Sequence, residues 1–305
     1  MSEPGIVTRT AAFLLATILL SGCAAVPKRA APAMEQGASH NLKGIHAEEQ
    51  KIFKVAEAEF AEAYRLYSSI ENYHGMVTAL VNSSRLYRRT GRLQQAETVT
   101  ERAVELGGNT PELASEVWFE KAKLLLLQNR NDEAALWCEK AVKAAPESEQ
   151  PRMLNLSSEI YRNKGQRAWA GQFAEKALQL SRKSGDRQEE ANALRNLGGL
   201  ELIEKRPGVA VDQFKTALEI DKELALSRKI SADLRALSQS FAAQGDTRAA
   251  AAYLQRAVDA ELADGDRKQT VFDLETLGQL QERSGQSQAA AKTDELRRKL
   301  QQEQK

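Results

Sequence analysis

The chain has 305 residues, 42% hydrophobic and 28% charged, and its net charge of +1 gives no global case for nucleic acid or an acidic membrane surface as partner. Glycine (18) and proline (7) are scarce, while Ala, Leu, Glu, Gln, Lys and Arg dominate, which favours helix and argues against strands. Two cysteines, Cys23 and Cys138, supply neither a disulfide framework nor a zinc spacing.

Residues 1–22 read as a leader rather than as fold. Arg9 precedes a ten-residue apolar run, residues 11–20, which is too short to span a bilayer. Leu20, Ser21, Gly22 and Cys23 follow: an apolar residue, two small ones and a thiol. This box resembles that of bacterial lipoproteins. The resemblance implies cleavage before Cys23, diacylglycerol on its thiol and acylation of the new amine. Several acyl chains anchor stably, since each buried CH₂ contributes about 0.8 kcal/mol. Ala24, in place of an aspartate, is similar to Gram-negative lipoproteins sent to the outer membrane, which implies a place on its periplasmic face. Residues 23–45 carry Pro, Ala, Gly and Ser without periodicity and read as a flexible tether. Its 22 residues after the cysteine, as a coil, would span roughly 25 Å.

Residues 46–300 are organised around the stretch Ser115 to Pro146. Trp118, Ala122 and Leu125 recur at i, i+4 and i+7 on one face of a first helix. Turn formers at Asn129 to Asp132 follow, and then Ala134, Cys138 and Ala141 on one face of a second helix. Small residues at Ala122 and Ala134 let the two helices approach closely, and Pro146 ends the unit. The register recurs with starts near Val77, Ser115, Pro151, Ala191, Ser231 and Val271, at spacings of 36 to 40 residues. Ahead of the first start, Ala56, Phe60, Ala63 and Leu66 form the second helix of a half unit whose first helix is poorly defined. In the last helix Asp294 and Arg297 occupy apolar positions, as in a polar cap.

This pattern resembles the tetratricopeptide repeat (TPR), and the longer spacing is similar to that of peptide-binding members such as kinesin light chains. The resemblance implies an all-α fold, an α-solenoid of antiparallel helix pairs. It also implies a concave face lined by the first helix of each unit.

No phosphate-binding glycine loop, HExxH pair or nucleophile elbow is present, so the reading is a non-enzyme without cofactor or metal. His40 and His46 fall in or beside the tether, and Cys138 at a core position reads as an inert thiol. The resemblance places Arg85, Arg88, Arg89, Lys123, Arg152, Arg162, Arg195 and Arg235 on the concave face, against Glu116, Glu120 and Glu159. Asn82, Asn155, Asn192, Asn196 and Gln239 interleave. In similar repeats an asparagine there hydrogen-bonds the backbone of an extended peptide. Arginine adds bidentate carboxylate recognition. The expectation is a groove for an extended or acidic protein segment, formed by Asn82, Arg85, Arg89, Lys123, Arg152, Asn155, Arg195, Asn196, Arg235 and Gln239. It would serve a lipid-anchored adaptor. The alternative is a regulatory subunit of a cell-wall hydrolase or synthase, or of a pilus or secretion machine. The oligomeric state is left open.

Overall fold

The computed structural model describes residues 32–303. The leader, Cys23 and the first part of the tether lie outside the described residues. The described chain forms fourteen α-helices and one 3-10 turn, with no strand among them. The first unit is α1 (Pro32–Glu49) and α2 (Phe53–Ser68), and the second α3 (Tyr73–Arg89) and α4 (Leu93–Gly107). The third is α5 (Pro111–Leu127) and α6 (Asn131–Ala144), and the fourth α7 (Gln150–Asn163) and α8 (Arg167–Ser184). Then come α9 (Arg187–Ile203) with α10 (Pro207–Glu223), and α11 (Ser227–Ala243) with α12 (Thr247–Asp264). The seventh pair is α13 (Arg267–Arg283) and α14 (Ser287–Gln302). Each helix packs on the one before and after it in the chain, and first helices of successive units also touch. This is the solenoid of antiparallel helix pairs expected from the sequence.

Packing within each pair rests on one spacing. A small residue in the first helix is followed twelve positions later by an alanine in the second: Gly44–Ala56, Ser84–Ala96, Ala122–Ala134, Ser158–Ala170, Gly198–Ala210, Ser238–Ala250 and Gly278–Ala290. The first six alanines are fully buried. In the first and fifth pairs, where the small residue is glycine, a phenylalanine four positions after the alanine fills the space over it. Phe60 covers Gly44 and Phe214 covers Gly198; a β-carbon would lie 2.4 Å and 2.9 Å from those rings. Ser84 instead meets Thr100 through a 2.7 Å hydrogen bond.

The turn inside every pair uses one left-handed residue: Lys51, Gly91, Asn129, Gly165, Lys205, Gly245 and Gly285. Between units, Gly185 and Gly265 end α8 and α12 in the same conformation. Asp186 and Asp266 then cap α9 and α13 by accepting from the amides of Glu189 and Gln269. Ala225 holds that left-handed position without glycine's freedom.

Two expectations are corrected. The tether does not run to residue 45, because Pro32–Glu49 is helical and packs on α2, burying Gly37, Asn41, Gly44 and Ala47. The N-terminal half unit is therefore a whole unit. His40, read as part of a solvated linker, lies 2.6 Å from Glu59 across the α1–α2 contact.

At the other end α14 buries only Ala290, Thr293 and Leu300, as a polar cap does. The superhelix also meets itself. Lys51, in the first unit, reaches Asp264 of the sixth at 2.8 Å and donates to that residue's carbonyl. Arg228 lies 3.5 Å from the same carboxylate.

Candidate functional site

First helices α3, α5, α7 and α9 line a cleft of about 540 Å³ on the inner face. Six expected groove residues line it: Arg85, Lys123, Arg152, Asn155, Arg195 and Asn196. Asn82 lies in an adjoining hollow shared with Arg85 and Arg152. Arg89 and Arg235 stand apart from these, in a second cleft between the first and sixth units. Gln239 is exposed on α11 and lines neither cleft.

Most of the expected cations are already engaged by carboxylates. Arg85 holds Glu120 at 2.9 Å and also contacts Glu116, which Arg152 shares. Arg88 meets the second oxygen of Glu120 at 2.5 Å, and Lys123 lies 3.5 Å from this carboxylate. Glu120 is 1% exposed. Burial alone would raise its carboxyl, but Lys123, Arg88 and Arg85 outweigh that and hold it down to about 2. Arg89 pairs with Glu48 at 3.1 Å. Arg195 bridges Asp221 and Asp233, both fully buried, and Arg235 bridges Glu261 and Asp273.

The asparagines are likewise engaged between units. The Asn155 amide donates to the Glu189 carbonyl at 3.0 Å, and that of Asn196 to the Asn155 carbonyl at 3.0 Å. Asn82 approaches Asn41 at 3.5 Å. Of the eight cations assigned to this face, Arg162 alone has no carboxylate within 4 Å among the described residues. It lines the first cleft, as do Lys123, Asn192, Glu159 and Glu189. Phe119 forms an apolar patch in that cleft, flanked by Lys123 and Arg152, each 5.0 Å from its ring centre.

Beyond the expected Glu116 and Glu120, the anions that neutralise this face arise at positions outside those used to assign it. Asp221 and Glu261 belong to second helices α10 and α12, and Glu149 to the 3-10 turn before α7. Asp233 and Asp273 are on first helices but at positions adjacent to the expected lining. Their signal in the sequence is the internal repeat: Arg195, Asp221 and Asp233 recur forty residues on as Arg235, Glu261 and Asp273.

Other chemistry is sparse. Cys138 is buried against the Met153 carbonyl and Ser157, and burial pushes its thiol up to about 12. Among the described residues no group of three or more His, Cys, Asp or Glu is placed to hold a metal ion. No described helix is long and apolar enough to cross a membrane.

Models of the tetratricopeptide repeat match residues 82–149 and 149–223. No curated protein matches the sequence. Among solved structures the fold is similar to BtubC from P. vanneervenii, with 20% identity, 77% of this chain and 93% of that one covered, and a TM-score of 0.55. It is also similar to a Rap protein complexed with Competence and Sporulation Factor: 16% identity, coverage of 88% and 77%, TM-score 0.63. A third likeness is to the APC/C hetero-tetramer Cut9–Hcn1, at 15% identity, coverage of 74% and 40%, and a TM-score of 0.61. At these identities the likeness establishes the fold, a TPR solenoid.

Proposed function

We infer that this TPR solenoid is a non-catalytic protein-interaction scaffold whose inner cleft takes an extended acidic segment of a partner protein. The observation that carries the reading is Arg162, which lines the same cleft as Lys123 and has no carboxylate within 4 Å among the described residues. Burial, opposed by the charge of Glu120, lowers the Lys123 ammonium from the ordinary lysine range. A carboxylate arriving at Arg162 would gain a charge-assisted hydrogen bond in a cleft whose other cations, Lys123 among them, add to the attraction. The Phe119 patch offers contact to an apolar neighbour in the same segment. Arg85, Arg152, Arg195 and Arg235 instead hold the repeats in register and shape the cleft. Their role is positioning.

The Cys23 box supports a lipid anchor, which would put the scaffold on the periplasmic face of an outer membrane. Eight residues separate Cys23 from Pro32. Even fully extended, eight residues reach at most about 30 Å, so the first unit would sit close to the bilayer. Cys23→Ser should abolish incorporation of labelled fatty acid and shift the protein out of the membrane fraction. Incorporation that persists in this variant overturns the anchor.

The cleft is tested with an array of linear peptides graded in Asp and Glu content. Acidic peptides should bind more tightly than neutral ones, and less so as salt rises. Arg162→Glu should weaken that binding at least tenfold. Equal binding of neutral peptides, or an unaffected variant, overturns the acidic-segment reading.

A further inference from the structure

The forty-residue repeat produces two consecutive buried joints of the same design. At the fifth-to-sixth joint, Arg195 contacts Asp233 at 2.6 Å and also Asp221. At the sixth-to-seventh, Arg235 contacts Glu261 and lies 3.4 Å from Asp273. All four carboxylates are nearly excluded from solvent. Each joint thus sets one arginine against two buried acids. With both acids ionised, such a cluster carries an excess negative charge, which burial strongly disfavours.

The two joints differ at one equivalent position. In the first, Lys229 stands where the charges of Asp221, Glu189 and Asp233 all act on it, and it donates to Asn192 at 3.0 Å. It has no carboxylate within 4 Å among the described residues, and burial and Arg195 oppose its charge, but it adds positive charge near the two aspartates. Forty residues on, the counterpart is Gln269, a neutral amide that donates to Asp273 at 2.9 Å. Apart from Arg235, the cations that share a cleft with Glu261 are engaged elsewhere. On the elements packed around Glu261, Lys51 and Arg228 are engaged by Asp264, and Arg89 by Glu48. Asp266, the cap of α13, adds another negative charge. One oxygen of Glu261 is buried without any hydrogen-bond partner, as is one oxygen of Asp221 at the first joint, so both joints leave room for a proton and differ in the charges around it.

We propose that the contact between the sixth and seventh units is a proton-dependent joint, in which a proton on the Glu261–Asp273 pair keeps α13 and α14 docked and its loss loosens them. The electrostatics of the two joints agree. Burial and the Asp273 carboxylate push Glu261 up to about 8, whereas Asp233, pushed up chiefly by burial, reaches only about 6. In the undocked state Glu261 returns to an ordinary carboxyl near 4.5. The docked state therefore binds the extra proton between about 4.5 and about 8. Docking is strongest below this window, weakens as pH rises through it and levels off above it. For one proton the opening constant rises by up to about tenfold per pH unit.

The test is hydrogen exchange on the full chain from pH 5.5 to 8.5, with amide rates corrected for their intrinsic pH dependence. Protection of α13 and α14 should fall as pH rises, while that of α9 and α10 changes less. Gln269→Lys should flatten the α13–α14 profile by supplying the missing cation. Glu261→Gln, nearly isosteric and permanently neutral, should also flatten it and covers the case in which the lysine variant fails to fold. Protection that is independent of pH in the parent chain overturns the proposal. So does a profile that keeps its slope in Glu261→Gln.

Discussion

Arg195 commits its guanidinium to Asp221 and Asp233, whereas Arg162, on the same inner face, has no carboxylate within reach. Charge reversal should separate these roles. Arg195→Glu leaves two buried aspartates facing a third acid and should cost about 3–5 kcal/mol, read as a large fall in melting temperature. Arg162→Glu should change stability by no more than about 0.5 kcal/mol, so its effect on peptide binding can be read in a folded protein. Glu120 makes a prediction of opposite sign to Glu261. Its folded value, about 2, lies below its ordinary 4.5, so its contribution is present above 4.5 and lost as pH falls toward 2. That difference corresponds to something on the order of 3 kcal/mol. Acid should thus open the second-to-third joint while it tightens the last, and exchange in α3 and α5 at pH 3 measures this. In the sequence, the resemblance to TPR repeats assigned the basic residues to the concave face. It could not show that they are occupied, since Glu261 approaches Arg235 from a neighbouring helix 26 residues downstream.

Helix pairs are matched by volume, and the match is testable. Gly198→Ala would press on the Phe214 ring and should cost about 1–3 kcal/mol. Adding Phe214→Leu should recover part of that, so that a double-mutant cycle gives a coupling of about 0.5–3 kcal/mol. Additive losses would mean that ring and glycine do not share one space. At Ala225 (φ 54°) the left-handed turn is strained, and Ala225→Gly should raise stability by about 0.5–1 kcal/mol in a chemical denaturation curve. The same packing rule shows why α1 escaped the sequence reading. Its Gly44 stands twelve residues before Ala56, as Ser84 stands before Ala96, so the register was present. Gly37, Gly44, Ser39 and Pro32 gave it the composition of a linker, and its outer residues Met34, Leu42 and Ile45 are exposed, which blurred the apolar stripe. A glycine that looks like a helix breaker is here the seat for Phe60.

Seven units in which each touches mainly its neighbours would unfold by fraying from the ends. The contact between Lys51 and Asp264 adds a link across 213 residues of chain. Both side chains are partly exposed, so the ion pair contributes no more than about 1 kcal/mol, and the Arg228 contact less. Lys51→Glu should widen the superhelix, seen as a larger radius of gyration in solution scattering with an unchanged helical spectrum. The link also bears on topology. A linear peptide can thread from a free end past the closed gap, but a segment inside a ring or between two folded domains must enter sideways. It then binds only the open form. If opening costs about 1 kcal/mol, that form is about a fifth as populated as the closed one, and the apparent affinity for the internal segment drops by about the same factor. A cyclised peptide should therefore bind Lys51→Glu up to about fivefold more tightly than the parent chain, while its linear counterpart binds both alike.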